Sequence, residues 1–456
     1  MEQNPLDVIV IGGGLSGLTA GYKLSQSGAR VRVLEAQMTP GGYAQTEVVN
    51  GVRIERGPHT FPATADVIFE LAEELGLQSE LTQTQPTAHN RFIVRNGTIH
   101  AIPKSIWAFM RTPLLSLWGK LQVVLEPLRS GRTTHKDSVH DLFSRRIGHE
   151  AATVLAGSFV SGVYAGDAQA LSARASFPLL WRFEQVAGSL FIGAWRHFSK
   201  RAKERRSAGI SPRRGLFSFS NGLGLLTSTL AERLDDALTL NAHVDEVAYA
   251  NDRWHVTCGD RSFTAAKLIV ATPPHHAAVL LKSSAPNVAV LLAEIPMAPI
   301  AVVHLMYNCR LPTLPNGFGM LFSPYEKAKT LGVLFPSRLF SNRAPENGEL
   351  LTAFVGGVHN PAVLAYDDDK LIATVRNDID RLLEIDVAPS STHIHRNAQG
   401  IPQFNHGHLA RNEHLSASLT AHAGLFLAGN YLGGVGLKDA IKSGLDASDA
   451  ALAGGQ

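Results

Sequence analysis

Three glycine clusters carry most of the chemistry open to this chain. The first lies in Val8-Ile9-Val10-Ile11-Gly12-Gly13-Gly14-Leu15-Ser16-Gly17-Leu18. The apolar run predicts a strand, the residues after it predict a helix, and Gly-x-Gly-x-x-Gly stands between. Gly12 permits the tight turn, Gly14 lets a pyrophosphate approach the backbone, and Gly17 lets the helix pack close to the strand. Leu15 and Ser16 fall in the first helical turn, where free N–H groups and the positive dipole end suit phosphate. A second short strand, 31–34, runs into Glu35, eighteen residues after Gly17. A carboxylate there can accept from ribose hydroxyls, so the pattern predicts a dinucleotide site.

The second cluster is Pro40-Gly41-Gly42, followed by Gly57-Pro58. Adjacent glycines after the acid let backbone approach a diphosphate or an isoalloxazine ring. A simple nicotinamide enzyme does not need them, so they point to FAD. The third cluster, Gly429-Asn430-Tyr431-Leu432-Gly433-Gly434-Val435-Gly436, leads into a helix from Leu437. Asn430 is expected to bond the ribityl chain or the pyrophosphate. The helix start at Val435, Gly436 and Leu437 is expected to face the flavin pyrimidine edge and favour negative charge there. No cysteine is placed for covalent attachment, so FAD is expected to be non-covalent.

Composition excludes several classes. The 42 basic and 39 acidic residues leave a net charge of +3, too small to imply nucleic-acid binding. Cys258 and Cys309 are far apart and form no CxxC, which fits a reducing compartment. The nineteen histidines are scattered; His275-His276 and His406-x-His408 match no metal-ligand spacing, and no metal is expected. The start Met1-Glu2-Gln3-Asn4-Pro5 lacks the basic region of a signal peptide. No charge-free apolar run reaches the roughly 18 residues of a spanning helix. The chain is therefore expected in the cytoplasm, at most peripheral at the inner face of the cell membrane.

The elements that must position these clusters follow from periodicity. An apolar stripe over 65–75 ends at Gly76 and predicts a helix. Residues 103–212 read as mainly helical, with Ser138-x-x-Asp141 as a capping box. Strands are expected over 239–247, 254–258, 267–271, 298–308, 350–357 and 425–428. The runs 105–110 and 113–118 are apolar enough to be core, a channel wall or a membrane-touching face, with core the first reading. The segment 196–214 carries eight Lys and Arg against Glu204. It reads first as a solvated helix face and second as a contact for anionic lipid.

Taken together, GGGLSGL, Glu35, Gly41-Gly42, ERGP and GNYLGGVGLKDAIKSG resemble the FAD-dependent amine-oxidase and phytoene-desaturase superfamily. Ser161-Gly162-Val163-Tyr164-Ala165-Gly166-Asp167, Gly317-Phe318-Gly319, 331–335, 354–357 and Ile401-Pro402-Gln403-Phe404 resemble the oxygen-dependent protoporphyrinogen oxidases within it. The resemblance covers essentially the whole chain. It implies an α/β fold: a discontinuous Rossmann-like FAD-binding domain (1–88, 213–288 and 395–456), an inserted mixed-sheet substrate domain (89–102 and 289–394) and an inserted helical, membrane-facing domain (103–212).

The resemblance further implies that Arg91 pairs a propionate of a tetrapyrrole, and that Leu321, Leu334 and Phe354 pack its macrocycle. It places the Gly166 backbone near the reacting carbon, and the backbone of Val244, in a strand His243-Val244-Asp245, against adenine. The implied reaction is oxidation of protoporphyrinogen IX in three two-electron steps, with O2 as acceptor giving H2O2. A homodimer, peripheral membrane contact and hand-over of product to a ferrochelatase are further expectations. Coproporphyrinogen III oxidation is the alternative on the same fold; a non-catalytic carrier is the alternative from another class, which two intact glycine turns disfavour.

Overall fold

In the computed structural model, which describes residues 6–132, 134, 136–207 and 213–453, the chain opens with β1 (Leu6–Ile11), α1 (Leu15–Gln26) and β2 (Val31–Leu34). The hairpin β3 (Thr46–Val49) and β4 (Val52–Glu55), α2 (Asp66–Glu74), β5 (Arg91–Arg95) and β6 (Thr98–Ala101) come next. A helical stretch holds α3 (Ile106–Arg111), α4 (Leu117–Val124), α5 (Val139–Ile147), α6 (Ser158–Tyr164) and α7 (Leu190–Ser207). Four strands follow: β7 (Leu238–Thr239), β8 (Glu246–Ala250), β9 (Arg253–Cys258) and β10 (Arg261–Val270). Then come β11 (Met297–Tyr307), β12 (Gly319–Phe322), β13 (Thr330–Leu334), β14 (Glu349–Gly356) and α8 (Asp368–Leu383). The chain closes with β15 (Ser391–Pro402), α9 (His408–Leu419), β16 (Leu425–Leu427) and α10 (Leu437–Ala453).

Two seven-stranded sheets organise these elements. The first runs β7-β2-β1-β10-β9-β8, with β16 paired to β10. β1 lies parallel to both β2 and β10. Its residues Val8, Ile9, Val10 and Ile11 are all buried, as a parallel sheet covered on both faces requires. One face packs α1, α2 and α10; the other packs Trp254 and the helices after β10. The Trp254 indole N–H donates to the Ala423 carbonyl at 2.9 Å, which satisfies its polar edge inside the core.

The second sheet runs β15-β11-β14-β13-β12-β5-β6. One face buries Met320, Phe322, Val333, Leu351, Ala353 and Val355 under α8, whose Leu371, Val375 and Ile379 recur every fourth residue. Its other face looks toward the glycine turns of the first sheet. The helical stretch is fastened internally. Ser138 and Asp141 form the expected capping box at the start of α5. Fully buried Arg146 and Glu126 pair at 2.8 Å, and Glu126 also accepts from Leu190 N at 2.8 Å, which ties α7 to α5.

Some sequence expectations change. The strand expected over 239–247 is broken: β7 ends at Thr239 and β8 begins at Glu246. Asn241 takes a left-handed φ of 51°, and Asp245 turns its carboxylate to the Gly259 N–H at 2.7 Å. Val244 is therefore a buried loop residue, not part of a strand. The expected boundary at 395 falls inside β15, which pairs with β11 in the second sheet. Within 105–118, Leu114 and Leu115 are buried, but Ile106, Trp107, Leu117 and Trp118 are exposed. The helices α3 and α4 are short, and each shows an apolar flank to the outside. In the basic segment, residues 208–212 and the side chains of Arg205 and Arg206 lie outside the described residues. Arg201 and Arg213 both approach Asp66, at 3.9 and 3.7 Å. Among the described residues no helix is long and apolar enough to cross a membrane.

Candidate functional site: a glycine-built cradle facing one side of a sheet

The expected cofactor residues converge on the N-terminus of α1. Gly12 makes the turn with φ 106°, and a Cβ on Gly17 would lie 1.9 Å from the Gly12 carbonyl oxygen. The helix can sit where it does only because position 17 has no side chain. Around Gly14 a Cβ would meet nothing within 4 Å, so this backbone borders open space. Leu15 and Ser16 follow in the first turn of α1, where N–H groups lack intrahelical acceptors. The Glu35 carboxylate accepts from Gly13 N at 2.6 Å and from Gln37 N at 2.8 Å. Both bonds orient it at the end of β2 and leave lone pairs for a hydroxyl donor.

The second glycine pair folds back onto the first turn. Gly41 N donates to Gly13 O at 2.7 Å, and Gly14 bridges Gly41. Gly57 would meet the Tyr43 carbonyl at 2.8 Å if it carried a Cβ, so Gly57-Pro58 lies against the 41–43 loop. Ala242 N donates to Glu35 O at 2.8 Å, which brings the Val244 loop beside the same carboxylate. The terminal turn reaches the cradle because α10 packs on α1: a Cβ on Gly444 would lie 2.3 Å from Ser16 O. Asn430 follows Gly429, whose N–H donates to Ser443 Oγ at 2.9 Å. Gly436 N donates to Asp439 Oδ2 at 3.1 Å. That acid takes up part of the positive helix end expected at Val435 to Leu437. The groups thus assembled fit a flavin dinucleotide: open backbone at Gly14, a free helix start, and an oriented carboxylate.

The expected substrate residues share one face of the second sheet. Across the strands, Leu321 pairs with Gly332 and Gly332 with Phe354. Two residues along, Arg91 pairs with Gly319, Gly319 with Leu334, and Leu334 with Thr352. Paired residues point the same way, and alternation returns to that face every second residue. Arg91, Leu321, Leu334 and Phe354 therefore stand together, opposite the face buried by α8. Leu321, Leu334 and Phe354 are only half-buried, whereas their neighbours Met320, Val333, Ala353 and Val355 are buried. The Arg91 guanidinium lies 5.2 Å over the Phe318 ring, a cation–π contact. Among the described residues no carboxylate pairs with it.

Gly166 lies where three elements meet. Ala165 caps α6 with a left-handed φ of 48°, and its carbonyl accepts from Val358 N at 2.9 Å. A Cβ on Gly166 would lie 2.4 Å from Gln403 Oε1. Gln403 donates to Tyr164 O at 2.8 Å. The tip of α6 is so held against the ends of β14 and β15, and Gly162 on that helix abuts Leu321.

Sequence reading missed His59, although it directly follows Gly57-Pro58. It is buried, and its ring meets Phe354 edge-on with centroids 6.0 Å apart. Burial, with the nearby Arg343 charge second, pushes its pKa down to about 3. It is thus a neutral imidazole between the cradle and the sheet face. Also missed were His393 and His395, two residues apart on β15, and their neighbour Glu47 on β3; the spacing His-x-His was itself visible. A cavity of about 740 Å³ lies elsewhere, between α9, β16 and α10, and contains none of the expected substrate residues.

The profile of the flavin containing amine oxidoreductases matches residues 15–452. Protoporphyrinogen oxidase 2, chloroplastic/mitochondrial, of Arabidopsis thaliana is 30% identical over 97% of this chain and 93% of its own length. The mitochondrial protoporphyrinogen oxidase of Nicotiana tabacum is 31% identical over 97% and 94%. The coproporphyrinogen III oxidase of Bacillus subtilis is 26% identical over 99% of each chain. Among solved structures, one from Exiguobacterium sp. 255-15, provisionally named a protoporphyrinogen oxidase, superposes with TM-score 0.86 at 24% identity, covering 99% of this chain and 100% of that one. Reduced UDP-galactopyranose mutase superposes with TM-score 0.75 at 17% identity, covering 98% and 96%.

Proposed function

Because the chain belongs to the flavin-containing amine oxidoreductase family, and is thus an FAD-dependent oxidoreductase, we propose that it oxidises protoporphyrinogen IX to protoporphyrin IX, with O2 as acceptor. The observation that carries this reading is the shared sheet face: three half-buried apolar side chains, Leu321, Leu334 and Phe354, beside the unpaired guanidinium of Arg91. A flat apolar macrocycle with carboxylates at one edge fits that surface. Curated relatives named protoporphyrinogen oxidases at 30–31% identity support the reading.

When bound, non-covalent FAD supplies the two-electron chemistry. Gly12, Gly14, Leu15, Ser16 and Gly17 would hold its pyrophosphate, Glu35 its ribose, and the Val244 backbone its adenine. Gly41, Gly42, Gly57 and Pro58, together with Asn430, Val435, Gly436 and Leu437, would hold its flavin portion. The sheet face holds the macrocycle flat. Arg91 fixes its rotation by donating two N–H bonds to a propionate carboxylate, which accepts them. The absence of a side chain at Gly166 admits Gln403 against it, and the Gly166 backbone is the part that would face the bridging carbon. The neutral imidazole of His59 braces Phe354. Orientation, more than proton transfer by a dedicated side chain, is what these residues contribute.

A coproporphyrinogen substrate carries four carboxylates where protoporphyrinogen carries two. The Arg91 guanidinium, which pairs with no carboxylate among the described residues, suits the less acidic macrocycle beside this apolar face. The helical stretch supports peripheral membrane contact: Ile106, Trp107, Leu117 and Trp118 form an exposed apolar flank, of the kind that rests at a lipid interface. A homodimer and product transfer to a ferrochelatase complete the reading. Arg91→Ala tests its core. KM for protoporphyrinogen should rise about tenfold while kcat holds, the signature of lost uniform binding. Unchanged kinetics would remove Arg91 from the substrate site.

A further inference from the structure

The face that carries Phe354 and Leu334 continues onto the edge strand β15. His395 pairs with Val302 and Val302 with Phe354; His393 pairs with His304, His304 with Thr352, and Thr352 with Leu334. Both histidines thus point toward the flavin-side hairpin, from which Glu47 on β3 meets them. His393 Nε2 lies 3.4 Å from Glu47 Oε2, and His395 Nε2 lies 3.9 Å from Glu47 Oε1. The three potential ligand atoms all fall within 4.8 Å of one another.

We propose that Glu47, His393 and His395 form a site for a zinc-class divalent cation, which clips the flavin-side hairpin to the edge of the substrate sheet. Bonds of about 2.0–2.2 Å from such a cation to imidazole nitrogen and carboxylate oxygen set tetrahedral edges of roughly 3.3–3.5 Å. The His393–Glu47 separation of 3.4 Å already matches such an edge, and His395 needs only a small ring movement. His395 Nε2 is buried without a hydrogen-bond partner among the described residues, so a strong donor stands unused. Two neutral nitrogens and one carboxylate, with a fourth position for water, suit zinc better than magnesium or calcium, which favour all-oxygen shells.

The surroundings shape the site. Arg56 Nε holds Glu47 Oε1 at 2.5 Å, which orients the carboxylate as outer-shell partners do. Its positive charge also moderates affinity. His304 stands behind, its ring 5.8 Å from His395 and its Nδ1 3.0 Å from Thr352 Oγ1. The side chains of His393 and Glu47 remain 33% and 30% exposed, which leaves an entry path. Two strand spacings, roughly 10 Å, separate β15 from β14. The cation would therefore sit at the edge of the face, two strands from Phe354. It would fix the distance between the two regions that hold cofactor and substrate.

The test uses full-length, flavin-loaded protein stripped of adventitious metal with a chelator. Zn²⁺ is titrated against a chromophoric competitor, and Co²⁺ is added separately as a spectroscopic probe. One equivalent of Zn²⁺ per chain, a tetrahedral Co²⁺ visible spectrum and a rise in Tm with Zn²⁺ are expected. His393→Asn/His395→Asn, checked by its flavin spectrum, should lose all three. No stoichiometric binding would show a plain His–Glu ion pair and overturn the proposal. So would undiminished binding by the double variant. If that variant fails to fold, the wild-type Co²⁺ spectrum decides: weak six-coordinate bands overturn the site.

Discussion

The cradle and the sheet face solve different problems with different parts. The cradle around α1 is made of backbone: Gly12, Gly14, Gly17, Gly41 and Gly42 act by having no side chain, and the contacts that close it are N–H to carbonyl or carboxylate. The sheet face is made of side chains, and its chemistry depends on which residues alternation and register bring to one side. Backbone sites tolerate little change in a few positions. Side-chain surfaces distribute their effect over several residues. A cofactor common to many substrates belongs on the first kind of site, and specificity belongs on the second.

That contrast can be broken, largest effect first. Gly17→Val places atoms where the Gly12 carbonyl already sits 1.9 Å from a Cβ. It should yield protein without bound flavin or without a fold, read by the flavin-to-protein absorbance ratio. Retention of stoichiometric flavin would show that the α1–β1 approach is not what holds the cofactor. Phe354→Ala removes a large half-buried ring from the sheet face but leaves the cradle intact. Flavin content should hold while kcat/KM falls about 10- to 100-fold, a loss of roughly 1.4–2.7 kcal/mol in transition-state binding. Loss of flavin in this variant would merge the two regions into one site.

The seam between the regions responds to acid. His408 on α9 stacks on Phe404, just beyond β15, with ring centroids 4.1 Å apart. Burial, with Arg411 second, pushes its pKa from 6.5 down to about 4. A depressed imidazole is neutral in the folded chain and protonated in the unfolded chain between those values. Stability is therefore fully present above pH 6.5 and falls toward pH 4, with a slope of up to about 1.4 kcal/mol per pH unit for each such group. His408→Gln should flatten the loss of denaturation midpoint between pH 6.5 and 4; an unchanged pH profile would place the acid sensitivity elsewhere. The smallest effect lies far from both regions. Trp107→Ser/Trp118→Ser removes two exposed rings from the helical stretch. It should weaken sedimentation with anionic vesicles while leaving turnover in detergent within about twofold. Equal sedimentation would assign that flank another use.

The same contrast explains what could be read in advance. Gly-x-Gly-x-x-Gly, Glu35 and the terminal turn are local: each residue's role follows from the strand and helix beside it, and all meet at α1. Ser138-x-x-Asp141 was legible for the same reason. The common face of Arg91, Leu321, Leu334 and Phe354 was not, because it depends on register between strands whose paired residues lie up to 228 positions apart in sequence, as Arg91 and Gly319 do. Only resemblance singled those residues out. The exposure of Trp107 and Trp118 could not be read either, since an apolar run looks the same in a core and on an outer flank. Val244 was misplaced into a strand because β-branched composition hides the left-handed Asn241. His393-Ile394-His395 was visible as a spacing, but its carboxylate, Glu47, comes from another sheet.

The central claim is that the sheet face reads a dicarboxylate macrocycle. Its most direct test is aerobic turnover of flavin-loaded protein on protoporphyrinogen IX and coproporphyrinogen III side by side, followed by porphyrin fluorescence. A higher kcat/KM on protoporphyrinogen, with H2O2 released, is the predicted result. Preference for coproporphyrinogen would keep the cradle and overturn the reading of the face, and no porphyrin from either would contradict the account of that face altogether.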